Sequence, residues 1–76
     1  MKIQDDIHSD IEKTFNFIDQ NLPPKYSREV WNLLPKRKQY IELDYIRKVK
    51  KQRIKNAVII NALFRVAQFY HLQNKN

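Results

Sequence analysis

The side chains with the greatest capacity for chemistry in this sequence are cations, and they are gathered in one stretch. Of the 15 Lys and Arg residues, eleven lie between positions 25 and 55, against three acids there (Glu29, Glu42 and Asp44), a local net charge of +8. Positions 1–24 run the other way, with Lys2 and Lys13 against Asp5, Asp6, Asp10, Glu12 and Asp19, a net of −3. Arg65 and Lys75 bring the whole chain to +7. A concentrated basic stretch draws polyanions through its long-range field, and nucleic acid is the usual partner. A solvated charged face is the plainer reading of the same run.

Other chemistries find little material. There is no cysteine, which removes disulfides, thiolate metal sites and cysteine nucleophiles together. There is no glycine, so no glycine-rich phosphate loop can form. His8 and His71 stand far apart, and neither has a partner at metal-ligand spacing. A serine–histidine–acid set would have to draw on Ser9 or Ser27, both of which read as helix-start residues. A domain of 76 residues buries roughly 60% of its unfolded surface, which leaves no room for a deep walled pocket beside a core. The expectation is a binding protein and not an enzyme, with no cofactor, no metal and no small-molecule substrate. No run approaches the roughly 20 apolar residues of a membrane span. The opening MKIQDDIHSDIEK alternates acidic and apolar residues, unlike a signal peptide, so the expected location is the cytoplasm with no membrane partner.

The elements that must position the cations follow from apolar spacing. Ile3, Ile7, Ile11, Phe15, Ile18 and Leu22 recur at three- and four-residue steps, predicting a first helix from about Asp5 to Gln20. Ser9 and Glu12 have capping-box spacing, so its start falls either at Asp5 or there. Pro23 and Pro24 end it. A second, short helix is expected from Lys25 to Leu34, with Tyr26, Val30, Leu33 and Leu34 as its apolar side, Trp31 in the core and Pro35 as its stop. Pro35 to Ile41 reads as a linker.

The third helix, Glu42 to Arg53, turns Ile46 and Val49 inward and leaves Arg47, Lys48, Lys50 and Lys51 elsewhere, with Tyr45 covering one flank. Asn56 is a fitting N-cap for a fourth helix, Ala57 to Leu72. There Val58, Ala62, Val66 and Phe69 line one side and Ile59, Leu63, Ala67 and Tyr70 the next, an arc widened by Ile60 and Phe64. The β-branched run Val58-Ile59-Ile60 also suits a strand, but apolar periodicity over four turns favours helix. The expected fold is all-α: one domain over residues 1–76, a compact bundle of four short helices, divided into an amphipathic helix (1–22) and a core (25–72).

The segment Tyr45-Ile46-Arg47-Lys48-Val49-Lys50-Lys51-Gln52-Arg53-Ile54-Lys55-Asn56 resembles the recognition helix and following turn of small bacterial helix-turn-helix repressors of the lambda-repressor/Cro type. Ile46 and Val49 match that family's two inward aliphatics, Lys51 to Asn56 its basic or small polar turn, and Val66-Ala67 the aliphatic–alanine pair of its next helix. The longer pattern LPPKYSREVWNLLP…YIRKVKKQRIKNAVIINALFRVA is similar to short, mostly uncharacterised bacterial proteins with such a core, over about residues 22 to 67. The sequence departs from the family in its connection of about seven residues, against three or four. It also lacks the turn glycine and has Gln52 where a second glycine is usual.

The resemblance implies a sequence-specific DNA-binding regulator, repressor-like, whose third helix enters the major groove of duplex DNA. On that model Leu43, Asp44, Arg47 and Lys48 face the bases, Arg47 or Lys48 donating to guanine and Asp44 accepting from cytosine. Lys51, Arg53, Lys55 and Asn56 fall where the family contacts phosphates. Lys36, Arg37 and Lys38 of the linker are further phosphate candidates. A module this small is expected to work as a homodimer reading two half-sites, through the fourth helix or the first-helix stripe, the fourth being favoured. Two alternatives use the same residues. One is an RNA-binding module with Tyr40 and Tyr45 as stacking surfaces. The other is an adaptor whose basic face meets an acidic protein, and whose acidic first helix masks the basic one.

Overall fold

A computed structural model describes residues 10–74. Among them are four α-helices and no strand: α1 (Ile11–Asn21), α2 (Ser27–Leu33), α3 (Leu43–Gln52) and α4 (Ala57–Asn74), with a 3-10 turn at Lys36–Lys38. The all-α expectation holds. The proposed start of the first helix at Asp5 or Ser9, and the positions of Ile3, Ile7 and His8, lie outside the described residues.

The core is the set of inward residues that the spacing implied. Phe15 and Ile18 of α1, Val30 of α2, and Ile46 and Val49 of α3 are buried to 1% exposure or less. They close around Ile59, Ile60, Ala62, Leu63, Val66 and Ala67 of α4. α4 packs against each of the other three helices, and α2 also packs on α3. This explains the wide apolar arc of α4 within a single copy: three neighbours need a broad face. Two of its expected inward residues are corrected, because Val58 and Phe69 are exposed at the arc's edge. Leu33, expected on the apolar side of α2, is likewise 47% exposed, while Leu34 is buried.

Helix ends obey local chemistry. Leu22 and Leu34 each adopt extended backbone immediately before a proline, the conformation the pyrrolidine ring imposes on its predecessor. Asn56 caps α4 as expected, its Oδ1 accepting from the Ile59 N–H at 3.3 Å. At the end of α3 the left-handed residue is Arg53 (φ 54°, ψ 46°), not Gln52. The Ile54 N–H donates to the Val49 carbonyl at 3.0 Å, closing the six-residue ring of a Schellman turn, and Ile54 packs on the core. An arginine holds a position that glycine would take without a Cβ clash.

The long connection between α2 and α3 is tied down by Trp31. Its indole Nε1–H donates to the Ile41 carbonyl at 2.9 Å, and Gln39 Nε2 donates to the Trp31 carbonyl at 3.2 Å. Trp31 is therefore half-buried with its polar edge satisfied, as a large ring with one donor requires. Elsewhere the Tyr70 hydroxyl donates to Glu29 Oε2 at 2.7 Å, linking α4 to α2. That hydrogen bond, then desolvation and the carboxylate's charge, hold the phenol above its ordinary pKa of 10.0.

Candidate nucleic-acid interface

α3 is held by its buried face. Ile46 and Val49 are fully buried, so the helical period turns Asp44, Arg47, Lys48 and Lys51 outward as one exposed stripe. Asp44 at the first turn suits the positive end of the helix dipole, and Lys50 and Lys51 at the last turn suit the negative end. The Asp44 carboxylate is paired with Arg47 one turn on, with both side chains more than half exposed. That pair fixes the direction of the Arg47 guanidinium, although an exposed i,i+3 pair contributes little to stability.

The four residues expected at base edges thus divide. Arg47, Lys48 and Asp44 share the outward stripe. Leu43 sits at its margin, half-buried against the core. Of the expected phosphate contacts, Lys36, Arg37, Lys51 and Lys55 are exposed, and Lys38 is partly buried. Asn56 has its side-chain oxygen engaged in the α4 cap, which leaves its NH2 group as the available donor.

Arg53 is the clearest difference from expectation, because it turns toward α1. Its Nη2 lies 2.9 Å from Asp19 Oδ2 and 3.4 Å from Asn16 Oδ1, with the guanidinium carbon 5.3 Å from the Phe15 ring centroid. The other Asp19 oxygen lies 3.2 Å from Lys50 Nζ, which also stands 5.7 Å from the Tyr26 ring. One carboxylate of α1 therefore grips two cations at the end of α3. The physical cause is helical phase: Arg53 stands four residues after Val49 and seven after Ile46, on the side of α3 opposite the outward stripe. Asp19, Asn16 and Lys50 were not among the expected site residues. The one available signal was the acidity of the first helix opposite a basic segment.

Beside the stripe runs an open groove between the linker and the start of α4. It is lined by Lys38, Ile41, Glu42, Tyr45, Asn56 and Val58. Tyr40 stands over it, 77% exposed. No helix among the described residues is long and apolar enough to cross a membrane. No protein-family model, curated protein or solved structure matches the chain.

Proposed function

We propose that this chain is a sequence-specific, duplex-DNA-binding regulator, repressor-like in action, that lays α3 in the major groove. It acts in the cytoplasm as a binding protein and not an enzyme. The observation that carries this reading is the division of α3 into a fully buried face, Ile46 and Val49, and an opposite cationic stripe, Arg47, Lys48 and Lys51. A helix anchored in this way can offer its outer side chains to a groove about as wide as itself.

In this reading Arg47 and Lys48 donate to guanine O6 and N7, with Asp44 orienting Arg47 and accepting from cytosine N4. The exposed edge of Leu43 suits a thymine methyl. Lys36, Arg37, Lys38, Lys51 and Lys55, with the Asn56 amide, hold phosphates on either side. Arg53 joins them only by exchanging Asp19 for a phosphate. Two copies reading paired half-sites supply the affinity that one small module lacks.

The test is a binding-site selection from random duplex DNA at near-physiological salt, where charge alone gives no sequence preference. An enriched motif is the expected result. Its absence sinks the sequence-reading claim.

One observation favours a second reading, single-stranded RNA. Tyr40 is 77% exposed beside Tyr45 and the Lys36–Lys38 cations, an arrangement suited to stacking an unpaired base. Direct competition between a duplex DNA and a single-stranded RNA separates the two, and preference for the RNA selects the second.

A further inference from the structure

Among the described residues, the large apolar side chains left exposed outside α3 and its groove lie on the far part of α4 and on α2. Phe69 and Leu72, one turn apart, are 55% and 63% exposed, and Leu33 of α2 is 47% exposed. Leu33 and Phe69 line a second groove with Val66 at its floor, Glu29 on the α2 wall and Arg65 on the α4 wall. One wall is acidic and the other basic. In a chain of net charge +7, this apolar face is charge-balanced, whereas the α3 face repels any second cationic copy.

From this arrangement we infer that the α2–α4 groove is a self-complementary dimer interface, occupied by the same groove of a second copy. In a two-fold contact each residue meets its counterpart's partner reciprocally. A two-fold axis running along the groove lays the acidic wall of one copy on the basic wall of the other. Glu29 then pairs twice with Arg65 across the interface, around a centre of Leu33 and Phe69 from each copy. An axis across the groove would oppose like walls and is disfavoured, since like-charge juxtaposition works against association.

Glu29 is prepared for this role. Tyr70 holds one carboxylate oxygen at 2.7 Å, and the other has no partner among the described residues. Apolar anchors with a charged rim are the usual anatomy of a specific interface. The dimer serves the DNA reading proposed above and names its surface, but it is measured without nucleic acid.

The experiment is sedimentation equilibrium of the full chain over a range of concentrations, with circular dichroism to confirm helix content. Wild type is expected to dimerise. Glu29→Arg and Arg65→Glu, each placing like charges together twice, weaken the dimer by at least about tenfold. The combined Glu29→Arg/Arg65→Glu variant restores it, which a loss of fold cannot imitate. Phe69→Asp, which leaves Glu29 and Arg65 in place, gives a monomer. The interface is overturned by a wild type that remains monomeric at millimolar concentration, or by a dimer that all these variants leave unchanged. Arg47→Ala/Lys48→Ala, which removes base reading, is expected to dimerise normally, so failure of one proposal is distinguishable from failure of the other.

Discussion

Two groups of cations grow from the same short helix and do different work. Arg47, Lys48 and Lys51 point outward from α3, and the only described acid against them is Asp44 on their own stripe. Lys50 and Arg53 share the two oxygens of Asp19, and each lies near an aromatic ring of another element. The first group is a surface; the second is a fastening between α3 and α1. A run of like charges is therefore not one functional unit. Helical phase decides which members face solvent and which close a tertiary contact.

The largest effect is expected from the outward group. Arg47→Ala/Lys48→Ala should lower affinity for the selected duplex by about 1–3 kcal/mol for each bidentate hydrogen-bond pair to a base that is removed, and flatten discrimination among sequences. Weak, salt-sensitive binding to any duplex should remain. Competition binding with specific and scrambled duplexes measures both. Equal weakening on both duplexes would reassign Arg47 and Lys48 to phosphates.

Asp19→Asn tests whether the fastening competes with nucleic acid. Removing the carboxylate should cost about 1 kcal/mol or less of stability, because both ion pairs are partly exposed. It should also release two cations, so affinity for duplex rises and the salt dependence steepens by up to ~0.9 per additional phosphate neutralised. Unchanged affinity and slope would show that Lys50 and Arg53 serve structure alone.

A smaller net change is expected for Arg53→Gly. Glycine relieves roughly 1 kcal/mol of left-handed strain. It also forfeits the Asp19 pair and the packing over Phe15, each on the order of 0.5–1 kcal/mol, so the terms nearly cancel in a denaturant melt. The informative quantity is coupling: Asp19→Asn should cost less in the Arg53→Gly background than in wild type.

The smallest effect lies outside both groups and sets a baseline. Tyr70 has its pKa raised chiefly by its bond to Glu29, so the protonated phenol is the form the fold favours. The contribution is fully present below the ordinary phenol range and is lost as pH rises through the folded value. Phenolate absorbance should show Tyr70 titrating above the ordinary phenol value, and Glu29→Gln should bring it back toward that value. No α3 variant should move it.

The helices themselves are legible in the sequence, since periodic apolar residues and proline stops are local signals. Ile46, Val49 and the Asn56 cap belong to the same class, as does the outward direction of Arg47 and Lys48. What is not legible is tertiary. Arg53 and Asp19 are 34 positions apart, and the acidity of the first helix does not say which of its carboxylates meets which cation. The family's usual glycine falls at Gln52, one residue before the left-handed Arg53, and without a glycine the end of α3 has no sequence marker. The exposure of Val58 and Phe69 is hidden by the breadth of the α4 arc, whose edges depend on how far three neighbours reach. The connection between α2 and α3 reads as an unstructured seven-residue departure because the bond that organises it comes from Trp31, ten positions before Ile41.

That bond makes the connection a strut whose position Trp31 can report. Trp31 is the sole tryptophan, so the intrinsic emission of the protein comes from a ring hydrogen-bonded to the backbone that leads into α3. Any partner that shifts the cationic turn at Lys36–Lys38 relative to α2 changes the polarity and freedom of that one indole. The spectrum of the unlabelled chain thus carries a direct optical signal of engagement at its own proposed binding face.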